Sequence, residues 1–257
     1  MPTQKDHAIV LRLTPYSETS QLVTLLTRTH GLLRLLAKGA HRRTKAGAGS
    51  FDGGLDLLDR GDAVFSAPID KPLGLLTEWK LLDGHLALRR STRSLMLAMS
   101  LAEIVPMLMD EHDPHPVAYD RLATTLSLLE TAGLEEAYLS FVLDLLQESG
   151  HMPELAACLS CGRPLDETGG AFFSSARGGI VCRNCEAAHP DRVAIDARLL
   201  RIALNLRSLP RTEGQPTRLP RLTRRQTDPL NRLLLQYLQV IQQRPLRTLK
   251  HVMQQGA

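Results

Sequence analysis

The most specific chemistry in this chain belongs to its four cysteines, which fall in one stretch as Cys158-Leu-Ser-Cys161 and Cys182-Arg-Asn-Cys185. A Cys-x-x-Cys turn aims two thiolates at one point, and a second such turn completes a tetrahedron around a single ion. The spacing points to one structural Zn2+ held by Cys158, Cys161, Cys182 and Cys185; a dithiol pair or disulfides are the other uses of such a pattern. A four-thiolate site is closed, with no position left for water or substrate. A zinc deaminase would need His-x-Glu and Pro-Cys-x-x-Cys, but His151 is followed by Met152 and Pro153, and Ala157 precedes Cys158. The zinc-protease, phosphate-loop, nucleophile-elbow and dinucleotide signatures do not occur either. His189 lies near the cluster and could replace a thiolate, but four cysteines suffice. The chain reads as a non-enzyme.

The second chemical signal is positive charge. Residues 1–80 hold 11 basic and 8 acidic side chains, residues 81–157 hold 4 and 12, residues 158–190 hold 3 and 3, and residues 191–257 hold 13 and 4. The protein is basic at both ends and acidic in its middle, although its net charge is only +4. Basic faces suit a polyanion, because each Lys or Arg placed at a phosphate releases condensed counterions; a solvated surface would account for the same clusters. Near the N-terminus the candidates for phosphate contact are Arg34, Lys38, Arg42, Arg43 and Lys45, with Arg12 as a weaker one. Aromatic residues make up 4% of the chain, so binding here should be electrostatic, salt-sensitive and indifferent to sequence. A second Arg-rich stretch contains Arg211, Arg218, Arg221, Arg224 and Arg225 and reads equally well as an auxiliary phosphate-binding segment or a solvated linker.

The elements that must position these residues follow from hydrophobic period. His7–Leu13, Gln21–Thr27, Leu32–Ala37, Leu55–Leu58, Ala63–Ala67 and Leu75–Leu82 are short apolar runs separated by turn signals, with Asp59-Arg60-Gly61-Asp62 read as a hairpin turn. Five or six strands in about 80 residues fit a small barrel or sandwich. From Gly84 the period becomes helical. Leu95 to Met109 forms one helix, ended or kinked at Pro106, and Leu122, Leu126 and Leu129 mark another. Leu134 through Leu146 repeats at helical spacing up to Gly150. Asp196 opens a further helix, residues 210–220 read as a linker, and Asp228-Pro229 reads as the start of the last long helix. Length and 43% hydrophobic content imply a folded core. No stretch is long and apolar enough for a membrane span and no apolar signal core follows Met1, so the cytoplasm is the expected compartment.

Several of these pieces resemble the bacterial DNA repair family RecO. Ala8-Ile-Val-Leu11, Tyr16-Ser-Glu-Thr-Ser20, Thr27-Arg-Thr-His-Gly-Leu32, Ala37-Lys-Gly-Ala40 and Arg42-Arg43 resemble its N-terminal domain. Gly150-His-Met-Pro-Glu-Leu155 before Cys158-x-x-Cys161, then Gly178-Gly-Ile-Val-Cys182-x-x-Cys185, resembles its zinc-bearing segment. Arg244-Pro-Leu-Arg-Thr248 resembles its closing segment, with Arg-Thr where Lys-Ser is usual. The resemblance implies an N-terminal OB-fold barrel over residues 1–80, an all-helical domain over 81–257, and a four-cysteine zinc module inserted at 156–190. It implies a non-enzymatic recombination mediator that binds single- and double-stranded DNA and anneals complementary strands. It also implies help in loading the RecA recombinase onto DNA coated by single-stranded DNA-binding protein (SSB). The implied partners are RecR and the acidic C-terminal tail of SSB, with RecA reached indirectly, in the cytoplasm at the nucleoid. The acidic residues 81–157 fit poorly with an acidic tail, although Arg89, Arg90, Arg93 and Arg121 could line a local pocket. The alternative is a zinc-ribbon accessory protein that binds RNA or a polymerase, and a third reading is a zinc-stabilised scaffold that binds only protein.

Overall fold

The alternation of apolar and polar residues along the first 80 positions resolves into strands that close on themselves. The structure is a computed structural model, and it describes residues 3–40, 50–52, 54–131, 133–165, 170–209 and 219–253. Strands β1 (Gln4–Pro15), β2 (Gln21–Thr27), β3 (Gly31–Ala37), β5 (Arg60–Ser66) and β6 (Gly74–Asp83) form one sheet in the order β3-β2-β1-β5-β6, and the two-residue strand β4 (Phe51–Asp52) lies beside β6. A parallel pairing of β3 with β6 joins the ends through Leu35–Gly74, Leu36–Leu75 and Ala37–Leu76. The result is a closed five-stranded Greek-key barrel, the OB-fold expected from the sequence. Its interior is filled by Ala8, Val10, Val23, Leu25, Leu33, Leu35, Phe65, Leu76 and Trp79, the inward set that a period of two dictates.

Two helices follow, α1 (Thr92–Leu108) and α2 (Pro116–Leu129). Ser91 caps α1 by accepting from the Ser94 N–H. Pro106 lies in its last turn, and the helix runs two residues past it. Helix α1 packs on β1 and α2 on β2, and Ile9, Leu26 and Leu32 are buried although the barrel core does not include them. The chain accordingly divides into compact units at 1–130 and 131–257. The strands end at Asp83 rather than at residue 80, and the compact grouping keeps the first two helices with the barrel.

The second unit contains α3 (Leu134–Glu148), α4 (Ala197–Ser208), α5 (Arg224–Ile241) and a short α6 (Leu249–Val252), with a three-stranded sheet of β7 (Ala171–Ser174), β8 (Gly179–Cys182) and β9 (Val193–Ile195) ordered β8-β7-β9. Helices α3, α4 and α5 pack on one another. Asp196 caps α4 through the Arg198 N–H at 2.8 Å, as expected.

Two expectations fail, each for a physical reason. Leu55–Leu58 is not a strand, and Asp59-Arg60-Gly61-Asp62 is not a hairpin turn, because β5 begins at Arg60. Gly61 serves a close approach instead: a Cβ there would sit 2.6 Å from Trp79 Cζ2 and 2.5 Å from the Lys80 carbonyl oxygen. Likewise Asp228-Pro229 does not open α5. A capping box of Thr223 and Gln226 starts it a turn earlier, with the Thr223 N–H donating to Gln226 Oε1 at 2.9 Å. Pro229 then lies inside the helix, where it has no N–H to donate to the Arg225 carbonyl.

The barrel also holds a buried carboxylate. Asp6 Oδ2 accepts from the Thr29 N–H (2.7 Å) and the Thr29 hydroxyl (2.8 Å) and lies 2.8 Å from His30 Nδ1. Burial works against its charge, but the His30 and Thr29 bonds outweigh burial and hold its carboxyl below the usual 3.8. Stability from such a group is present above its unfolded pKa and is lost as pH falls through the lower folded value. Asp6→Asn should therefore cost about 1.5–3 kcal/mol at neutral pH, and the gap to wild type should narrow below pH 4, read as urea midpoints across a pH series. Gly61→Ala should cost about 1–3 kcal/mol by overpacking against Trp79, seen as a lower melting temperature and urea midpoint.

Candidate functional sites: a four-thiol cluster and a basic barrel face

The cysteine module is built from two tight turns docked on a small sheet. The Cys158 carbonyl accepts from the Gly162 N–H at 2.8 Å, and the Cys182 carbonyl from the Cys185 N–H at 2.9 Å. Gly162 has φ +70°, which lets the chain leave the first turn at once. The four sulfurs lie within 4.8 Å of one another. Sγ of Cys161 and of Cys182 are 3.8 Å apart, the separation set by a tetrahedron with bonds of about 2.3 Å to a central zinc. The donor set, its geometry and its closure fit a single thiophilic cation.

The electrostatics point the same way. Burial works against ionising Cys158, but the N–H groups of Cys182, Cys161 and Ser160 outweigh it and bring the thiol down to about 6; the Cys182 N–H lies 3.3 Å from its sulfur. Hydrogen bonding with Cys182, then burial, then Cys161 and Cys158 push Cys185 up to about 12. Four thiols this close cannot all ionise without a cation among them. His189 does not join them: its Nε2 is 2.8 Å from Ser160 Oγ, inside the first turn. That tie braces the Cys158–Cys161 loop, a role sequence spacing does not reveal.

The module is seated on α5. Phe173 of β7 meets Tyr237 edge-on with ring centroids 5.9 Å apart, and the Tyr237 hydroxyl donates to the His151 carbonyl at 3.1 Å. Neither partner carries a recognisable motif, so the sequence alone does not disclose this contact.

On the barrel, three residues of the outer surface line up. Arg12 of β1 pairs across the sheet with Thr24 of β2, and Thr24 pairs with Arg34 of β3. Both arginines are exposed. Arg12 owes its direction to a bulge between Val10 and Arg12. Ala8 and Val10 point inward, and strict alternation would send Arg12 inward as well; the extra residue turns it out and lets Leu13 face the core. Lys38 is exposed in the turn after β3. Arg34 lies 3.6 Å from Glu111, a half-exposed pair of the kind that contributes little. The structure thus brings Arg12 and Arg34 onto one face. Arg42, Arg43 and Lys45 lie outside the described residues, as do Arg211 and Arg218. Tyr16, in the β1–β2 connection, is 62% exposed, and Ile69, in the β5–β6 connection, is 84% exposed.

A closed OB barrel followed by helices that carry a compact four-thiol module defines a class of protein: an OB-fold protein with an appended four-cysteine module. The pattern for "Recombination protein O N terminal" matches residues 1–85, and that for "Recombination protein O C terminal" matches residues 89–250. The chain belongs to the RecO family. Its relatives include the DNA repair protein RecO of Rhodopirellula baltica, 39% identical over 183 residues that cover 69% of this chain and 65% of that protein. The RecO proteins of Anaeromyxobacter dehalogenans and Myxococcus xanthus are each 31% identical, over 80% and 86% of both chains respectively. Among the described residues, no helix is long and apolar enough to cross a membrane.

Metal content reads the cluster directly. Wild type should carry one equivalent of metal by elemental analysis. Cys158→Ser should lose it and melt several degrees lower, while unchanged metal content and melting temperature would reject the site.

Proposed function

We propose that this protein is a recombination mediator that handles DNA without covalent chemistry. The observation that carries this reading is the row of Arg12, Thr24 and Arg34 on the barrel of a RecO-family chain, with both arginines exposed, continued by the exposed Lys38. In OB-folds the equivalent strand face and the adjoining loops bind oligonucleotides. Arg12, Arg34, Lys38, Arg42, Arg43 and Lys45 neutralise phosphates. Single- and double-stranded DNA are both substrates, since the recognised charge is common to them. Two complementary strands held on basic surface repel each other less, and pairing accelerates. Residues 1–80 form the DNA-binding domain. The module at 156–190 holds one Zn2+ in a structural role, with Cys158, Cys161, Cys182 and Cys185 as ligands. RecR and the acidic C-terminal tail of SSB are the protein partners, and the outcome is RecA loaded onto SSB-coated DNA in the cytoplasm.

The test is annealing of two complementary oligonucleotides coated with the cognate SSB, followed across a salt series with and without the protein. Acceleration that fades as salt rises is expected, because each phosphate contact contributes to the salt slope. Arg34→Ala with Lys38→Ala, or Arg42→Ala with Arg43→Ala, should weaken binding evenly across sequences and reduce that slope by about one unit per lost contact. A wild-type slope in these variants would reject the site. Absence of acceleration with a folded, metal-loaded protein would reject the function.

A further inference from the structure

The second unit carries a charge pattern that the proposed function leaves unused. From Ala197 to the C-terminus the sequence has twelve Lys and Arg and only two acidic residues, Glu213 and Asp228. Helix α4 contains no acidic residue, and its exposed positions include Arg198, Arg201 and Arg207. On α5, Arg225 and Arg232 are both exposed and stand seven residues apart, two turns along one stripe. Arg224 is held near Asp228 (3.4 Å) and Glu135 (4.0 Å). Among the described residues, no ion pair engages Arg225 or Arg232.

These two arginines line an open groove of about 760 Å³. Its accessible apolar lining is Val193 and Ile195 from β9 and Leu199 from α4; Phe173 and Leu233 are buried beside them, and Asp196 and Asp228 also line the groove. The combination is selective. A run of arginines that continues past the groove along α4 suits a ligand charged at every unit. An apolar lining between them suits the faces of unstacked bases.

We propose that the α4–α5 face is a second nucleic-acid site, which takes the phosphate backbone of a second single strand on Arg225 and Arg232 and its bases against the apolar lining. This rests on the annealing function proposed above and supplies what that function requires, a separate seat for each of the two strands.

The experiment titrates the full-length, metal-loaded protein with a short labelled oligo(dT), reading stoichiometry and affinity at low salt. Wild type should take up two equivalents. R225E/R232E should keep the first at wild-type affinity and lose the second, with an unchanged melting temperature because both side chains are exposed; should that temperature fall, R225Q/R232Q is measured in its place and should show the same loss. Arg34→Ala with Lys38→Ala should weaken the first equivalent and leave the second. One equivalent in wild type that R225E/R232E leaves intact overturns the second site and leaves the barrel reading standing. No uptake by wild type removes the DNA reading itself. Binding of a Glu-rich peptide that depends on Arg225 and Arg232, with no second oligo(dT) equivalent, assigns the groove to an acidic peptide and overturns the proposal.

Discussion

The N-terminal unit depends on three residue pairs, the parallel contact of Leu35, Leu36 and Ala37 with Gly74, Leu75 and Leu76. Every other neighbouring pair of main strands in the barrel is antiparallel and extends over six or more paired positions. The short parallel pairing is the seam that turns a sheet into a closed surface. Closure gives the sheet an inside, which the packing of Trp79, Phe65 and the aliphatic residues around them fills. It also gives β1, β2 and β3 a curved outside, on which Arg12, Thr24 and Arg34 stand in a row. Stability and the proposed binding face therefore share one origin.

The C-terminal unit solves a different problem. Three strands of three or four residues bury too little apolar surface to fold alone. Cys182 ends β8 of that sheet, and metal ligation by the four thiols would supply the cross-links that a larger core would otherwise provide. The Phe173–Tyr237 contact then fastens the cross-linked sheet to the helices.

Much of this is legible in the sequence, and the misses have a common cause. The cysteine cluster is readable because the covalent spacing of a Cys-x-x-Cys turn fixes the thiol separation whatever surrounds it. The strands of the barrel are readable from alternation. Gly61 misleads because a glycine that opens a turn and a glycine that admits a neighbouring indole look identical in one dimension, and only the position of Trp79 separates them. Asp228-Pro229 has every local feature of a helix start and is outcompeted by Thr223 and Gln226. The row across three strands is hidden as well, since it depends on register and on the bulge beside Arg12, neither of which leaves a composition signature. Local covalent rules survive projection onto a sequence, and contacts between distant segments do not.

The thiol cluster has one more consequence. The chain has four cysteines and all of them are in it, so no other thiol competes for oxidant or buffers the site. Cys161 is the exposed member and meets an oxidant first. Oxidation of these sulfurs to disulfides removes the thiolates a cation needs, and the sheet they brace carries Phe173, part of the lining beside α5. Loss of the thiolates would therefore be felt, through the Phe173–Tyr237 contact, at a surface that contains none of the four cysteines.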